Sequence, residues 1–241
     1  MSKHDNFILT PITVIFEEAL IASSTINRGM ESFPLSEYLM QTTFLKLTGA
    51  SEQKLKCILW ELATDDYEFR FDFLKNDYRE CSDYSTKSKV LKNLIDCIKK
   101  KKSDYSVNTT DKQEILDFVE QSRNLFNNEL LLNWFSRNYL EFNSIVSQIT
   151  NSQLVLTNAK QNNLFKKDSE LEKIFESVYR HRNRCAHNLQ SYQDNIPTLI
   201  KLRSEDYKYE NWFLRYYILF LIDEIFIYFY REYLNVKESY T

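Results

Sequence analysis

Glycine occurs only twice in the 241 residues of this chain, at Gly29 and Gly49. Tight β-turns need residues that adopt a positive φ without strain, and glycine does so most readily. Two glycines cannot supply the turns of a many-stranded sandwich, barrel or Rossmann sheet, nor the phosphate-binding loops GxxxxGK[ST] and GxGxxG. Each glycine instead follows a stretch with helical apolar spacing, where it is expected to end a helix. The sequence therefore predicts an all-α fold, a helical bundle.

Charge and cysteine content argue against binding of nucleic acid by overall charge and against a zinc site. Lysine and arginine number 31 against 34 aspartate and glutamate residues, so the net charge is −3 and any contact with nucleic acid must use a local basic site. The four cysteines form no CxxC pair, and with three histidines they show no zinc-binding spacing. The N-terminus lacks the pattern of a secretory signal. We therefore expect a cytoplasmic protein with reduced thiols, no bound metal and no other cofactor.

The segment 212–234 is the most apolar part of the chain and has the length of a membrane span. Asp223 and Glu224 lie at its middle, where two carboxylates at the centre of a bilayer would be costly. We predict a buried helix or an oligomer interface here, with a membrane span as the alternative. A buried carboxylate needs a cation, and an arginine of residues 180–184 is one candidate partner for this acidic pair.

Helix-capping signals divide the chain into two parts. Residues 34–47 are predicted to form a helix closed by Gly49, and Ser51 is predicted to cap the next helix, which runs to about residue 75. A polar linker then separates residues 1–103 from a second helical part, residues 110–235. The first part is predicted to be an N-terminal helical extension of the second part or a separate recognition module.

A cationic cluster with three arginines and two histidines within eight residues follows an apolar helix face. Its members are Arg180, His181, Arg182, Arg184 and His187, with Asn183 among them. Imidazole exchanges protons near neutral pH, and guanidinium binds phosphate oxygens through paired hydrogen bonds. An asparagine amide orients either group. This combination suits metal-independent chemistry on a phosphodiester.

The pattern Arg182-Asn183-x-x-x-His187, followed by a long helix, resembles the R-[NDH]-x-x-x-H motif of the HEPN superfamily (higher eukaryotes and prokaryotes nucleotide-binding). The family spacing R-x(4–6)-H also allows Arg180 as the motif arginine. The resemblance covers residues 110–235, so this part is predicted to be a HEPN-like domain.

The resemblance implies a metal-independent endoribonuclease that leaves 2′,3′-cyclic phosphate and 5′-OH ends, with a composite site across a homodimer. It also implies a toxin or anti-phage effector that meets an antitoxin or another defence-system protein. Catalysis would use His187 as acid or base, Arg182 to hold the phosphate and Asn183 to orient it. Three further residues would support RNA binding: Arg180, His181 and Arg184.

Two other interpretations remain open on the sequence alone. In the first, His187 is a packed or capping histidine beside a solvated run of arginines. This interpretation stands because the pattern R-x(4–6)-H also occurs by chance in helical proteins. Alternatively, the chain would be a non-catalytic interaction or regulatory module that uses a HEPN scaffold for dimerisation or nucleotide binding. The nuclease requires His187 to face an open cleft, whereas the interaction module does not.

Overall fold

The computed structural model of this protein describes residues 3–24, 32–75, 81–148, 165, 167–187 and 210–239. Every regular element in these ranges is a helix, so the predicted all-α class is confirmed. The α-helices are α1 (Lys3–Leu9), α2 (Thr13–Ser23), α3 (Phe33–Asp65), α4 (Tyr67–Lys75), α5 (Tyr84–Lys101), α6 (Thr109–Ser122), α7 (Glu129–Gln148), α8 (Glu170–His187) and α9 (Trp212–Ser239). A 3₁₀ helix, Arg123–Asn127, lies between α6 and α7.

Helix α9 forms the centre of the bundle. It contacts α1, α3, α5, α6, α7 and α8, and its side chains are buried at almost every position from Trp212 to Tyr233. A helix that is apolar on all sides is stable only when other elements surround it. The prediction of a buried helix in segment 212–234 is confirmed. None of the described helices has by itself the length and apolar composition of a membrane span, although α1 and α2 meet those criteria as a pair bent by 68°.

One hydrophobic core unites the two parts of the chain that the linker was predicted to separate. Buried side chains from Ile8 in α1 to Val236 in α9 belong to the same cluster. Its centre is aromatic, where Phe126 packs edge-on against Phe142 and Phe213. The position of a domain boundary at residues 103–110 stays a prediction.

The predicted break at Gly49 is wrong, because α3 continues through it from Phe33 to Asp65. Phe44, Leu47, Leu55 and Ile58 are all buried, so the apolar face is continuous across the glycine. Burial of such side chains contributes about 1.5–3 kcal/mol each, which exceeds the cost of about 1 kcal/mol for one glycine in a helix. Gly29, the other predicted helix end, lies outside the described residues.

Replacing Gly49 by alanine is therefore expected to raise the free energy of unfolding by about 0.5–1 kcal/mol. A Cβ atom built at this position meets no atom within 4 Å, and no described glycine has a positive φ. Urea unfolding of Gly49→Ala beside the wild type measures the effect. A loss of stability would indicate that the helix ends at Gly49, as the sequence suggested.

Candidate functional site

Helix α8 carries the whole cationic cluster in its second half. Its first half is amphipathic, since Leu171, Ile174, Phe175 and Val178 are buried at helical spacing. The hydroxyl of Ser169 accepts a hydrogen bond from the backbone N–H of Glu172 at 3.2 Å and so caps the first turn. This packed half fixes α8 against α3, α5 and α9. The cluster therefore projects from a helix whose position is set by the core.

His187 is the last residue of α8, and its side chain lies outside the described part of the structure. The other two histidines are engaged elsewhere. Nδ1 of His4 lies 2.7 Å from a carboxylate oxygen of Glu61. The ring of His181 is 8 % exposed and lies between Phe44 and Trp212, with centroid distances of 5.3 and 4.9 Å.

The hydrogen bonds of His181 indicate its tautomer. A guanidinium group only donates, so Nδ1, which lies 3.2 Å from Nη2 of Arg184, acts as an acceptor. Nε2 then carries the proton and donates to Sγ of Cys185 at 3.4 Å. The ring is packed in the core, and the predicted support of RNA binding by His181 stays a prediction. Its place between Phe44 and Arg184 suits a positioning residue.

Arg182 and Asn183 form a pair on the partly exposed side of α8. Nη1 of Arg182 donates to the side-chain oxygen of Asn183 at 3.2 Å, and Nη2 lies 3.3 Å from a carboxylate oxygen of Glu52 in α3. Arg180 is exposed, and its Nε donates to the backbone oxygen of Glu176 at 3.4 Å. Of the two candidate motif arginines, Arg182 is thus the one held in place by neighbouring side chains.

Arg184 takes part in a second charged group at the start of α9. Its Nη2 lies 2.9 Å from Glu210, which also pairs with the buried Arg215. The guanidinium of Arg215 lies 5.0 Å from the centre of the Trp212 ring. The Nε atoms of both arginines are buried and have no hydrogen-bond partner within the described ranges.

The predicted partnership between the acidic pair of α9 and an arginine of the cluster is wrong for Asp223. Asp223 pairs instead with Lys54 of α3, whose Nζ lies 2.7 Å from its carboxylate. Arg182 and Arg184 of α8 pair instead with Glu52 and Glu210. Glu52 precedes Arg182 by 130 positions, so no local sequence pattern could have identified this contact.

A small cavity lies beside Arg182, between α3, α5 and α8. Its volume is about 10 Å³, which is roughly the room of one water molecule. Its accessible lining is mainly apolar, although polar side chains surround it: Thr48, Ser51, Glu52, Ser82, Lys87, Tyr179 and Arg182. Lys87 is only 2 % exposed, and its Nζ donates to the backbone oxygen of Cys81 at 2.8 Å. No pattern in the sequence singles out Lys87; its burial follows from the start of α5 at Tyr84, which carries this lysine into the core.

Burial lowers the pKa of Lys87 from 10.5 to about 8, with Glu52 as the largest opposing influence. The folded chain therefore holds this proton more weakly than the unfolded chain does. The cost of burying the ammonium is full below pH 8 and is relieved as the pH rises towards 10.5. One pKa unit corresponds to about 1.4 kcal/mol.

We expect Lys87→Met to raise the free energy of unfolding at pH 7 by about 1–3 kcal/mol, after allowance for the lost hydrogen bond to Cys81. The gain should shrink as the pH rises above about 8, where wild-type Lys87 loses its proton. Urea unfolding at several pH values measures this gain in stability. Lys92→Met, on the exposed side of the same helix, is the matched control. A gain that does not change with pH would contradict the stated cause.

The described residues contain no group of three or more histidine, cysteine or acidic side chains that could hold a metal ion. All four cysteines are free thiols, and burial raises the pKa of Cys185 despite the nearby Arg215 and Arg184. A cysteine with a raised pKa is a poor nucleophile. The cluster therefore offers arginine, asparagine and histidine as its chemical groups.

Comparison with protein-family models, with curated proteins and with solved structures gives no match to this chain. The resemblance to the HEPN superfamily therefore rests on residues 182–187 and on the long helix that follows them.

Proposed function

We propose that this protein is a metal-independent endoribonuclease of the HEPN type, in which Arg182, Asn183 and His187 are the catalytic residues. The observation that supports this most is the contact between Arg182 and Asn183, at 3.2 Å, one turn before α8 ends at His187. The guanidinium would bind the scissile phosphate, and the amide would orient it. His187 would exchange a proton with the ribose 2′-OH or with the leaving 5′-oxygen.

The engagement of the other two histidines supports His187 as the acid or base. His4 is paired with Glu61, and His181 is packed between Phe44 and Trp212. Cleavage by 2′-OH attack needs both a base and an acid. Each chain offers His187 for these two roles, so a second chain would supply the second group. We therefore propose a composite site in a homodimer.

The protein would act in the cytoplasm as a toxin or an anti-phage effector. An antitoxin or another defence protein would hold it inactive or trigger it. RNA is the proposed substrate. The net charge of −3 makes broad electrostatic binding weak, so recognition would depend on the local arginines of α8.

The test is an RNA-cleavage assay in EDTA with analysis of the product ends. We expect the wild type to cleave and to leave 2′,3′-cyclic phosphate and 5′-OH ends, since the attacking oxygen belongs to the RNA itself. Products with 5′-phosphate ends, or activity that EDTA abolishes, would contradict the proposed mechanism.

A non-catalytic interaction module is the second candidate. The observation in its favour is that Arg182 and Arg184 are both paired with carboxylates, from Glu52 and Glu210. Such pairs neutralise the charges that would attract RNA. This candidate predicts no cleavage by the wild type under any ionic condition, together with a stable complex between this chain and its partner protein.

A further inference from the structure

A cleft of about 250 Å³ lies between α2, α6 and α9, away from the arginine cluster of α8. Residues three or four positions apart share one face of a helix, and the lining follows this spacing. Helix α9 contributes Phe220, Asp223 and Glu224, and α2 contributes Thr13 and Glu17. An apolar cavity of about 150 Å³ is large enough to bind benzene. The cleft therefore has room for a small organic molecule.

The inner wall of the cleft is apolar, and its mouth carries an exposed aromatic ring. Val119 and Phe220 are buried in the wall. Phe118, which also lines the cleft, leaves 47 % of its surface exposed. Because burial of apolar surface is favourable, a ligand with an apolar body gains by covering this ring.

The charge of the cleft is negative, and one of its carboxylates has no partner. Asp223 is already paired with Lys54. The side chain of Glu224 forms no hydrogen bond and no ion pair within the described ranges. Burial and the adjacent Asp223 raise the pKa of Glu224, although Arg231 and Lys54 act in the opposite direction. The neighbouring cations therefore compensate this partly buried carboxylate incompletely, and Glu17 adds a second negative charge at the exposed side.

We propose that this cleft binds a small organic cation, a primary ammonium group on a compact apolar body. The ammonium would pair with Glu224, and the apolar body would lie against Phe118 and Phe220. A neutral or anionic ligand would cover Glu224 and leave its charge without a partner, which is costly.

A metal ion suits the cleft less well than an organic cation. Across the part of the chain that the structure describes, no three histidine, cysteine or acidic side chains are grouped as metal ligands. The accessible lining of the cleft is also mainly apolar, and an apolar wall offers a metal ion no ligands. The site is separate from the proposed ribonuclease residues of α8, so each proposal can fail without the other.

The experiment is calorimetric titration of the full chain with benzylammonium chloride and with benzyl alcohol, at neutral pH and constant ionic strength. The two probes share one ring and differ in charge. We expect the wild type to bind benzylammonium about 10-fold more tightly than benzyl alcohol, because only the ammonium pairs with Glu224. Benzylammonium should also raise the Tm more than benzyl alcohol does, since a ligand of the folded chain stabilises it by mass action.

Three variants assign the binding to the cleft. Glu224→Gln keeps the shape of the side chain, and it should bind benzylammonium about 10-fold more weakly and benzyl alcohol unchanged. Glu232→Gln removes another partly buried carboxylate of α9, outside the cleft, and should bind both probes like the wild type. Phe118→Ala should bind both probes several-fold more weakly, because both lose the contact with the ring. Thermal unfolding without a probe checks that each variant is folded.

Equal affinity of the wild type for the two probes would overturn the proposal, as would the absence of benzylammonium binding. Equal losses in Glu224→Gln and Glu232→Gln would also overturn it, since the effect would then come from net charge alone. Magnesium chloride is the inorganic control. Binding of Mg²⁺ that depends on Glu224 and displaces benzylammonium would identify a metal site in place of the proposed one.

Discussion

Replacing His187 by alanine is expected to lower the rate of RNA cleavage by about a thousandfold, because a positioned general acid or base contributes roughly 10²–10⁴-fold. The fold should persist, since the described buried side chains of α8, from Leu171 to His181, all precede His187. Cleavage rates on one RNA in EDTA measure the loss. Circular dichroism and thermal unfolding check that the variant is folded.

His4→Ala is the matched control for this prediction. It removes a partly exposed imidazole that pairs with Glu61 of α3. We expect it to cleave at the wild-type rate. If His187→Ala cleaves at that rate as well, then His187 is not the acid or base and the proposed site is wrong.

Replacing Asp223 by alanine is expected to lower the free energy of unfolding by about 3–5 kcal/mol. Asp223 and Lys54 are each 4 % exposed and form a charged pair between α9 and α3. The carboxylate of Asp223 also accepts a hydrogen bond from the backbone N–H of Ile12 at 2.9 Å. The alanine variant would leave a buried ammonium without its counter-ion and a buried N–H without its acceptor. Urea unfolding measures the difference.

A double variant separates the unpaired charge from simple loss of packing. Lys54→Met combined with Asp223→Leu removes both charges, and replacement of a buried ion pair by apolar groups is often neutral or stabilising. We expect it to regain most of the lost stability. Glu141→Ala, which removes an exposed ion pair with Arg137, should change stability by less than about 1 kcal/mol and serves as the surface control. A loss below about 1 kcal/mol in Asp223→Ala would contradict a structural role for the buried pair.

The fold class followed from composition, whereas the boundaries of α3 did not: the helix passes through Gly49 and ends at Asp65, not at about residue 75. Scarcity of glycine predicted an all-α fold, and the apolar length of α9 predicted its burial. Gly49 and Ser51 are a sound local signal for a helix end and a new cap, but packing of α3 against the core overrides it. Because α3 continues, Ser51 does not cap a helix; it lines the cavity beside Arg182, as does Glu52.

The candidate site was predictable only where its residues are close in sequence. Residues 180–187 stand out as a cluster, and α8 does carry them together. Their carboxylate partners and the buried Lys87 come from α3, α5 and the start of α9, and only the packing of those helices brings them near. The same packing places His181 in the core, a position that its neighbours in sequence do not reveal.

The most direct test of the proposed site is chemical rescue of His187→Ala by free imidazole in the RNA-cleavage assay with EDTA. If His187 transfers a proton, imidazole should restore cleavage in a saturable manner and leave the same 2′,3′-cyclic phosphate ends. It should not restore cleavage by Arg182→Ala, because that variant lacks the phosphate contact but still has His187 to carry the proton. Cleavage by His187→Ala at the wild-type rate without imidazole, or equal stimulation of both variants by imidazole, would contradict the account.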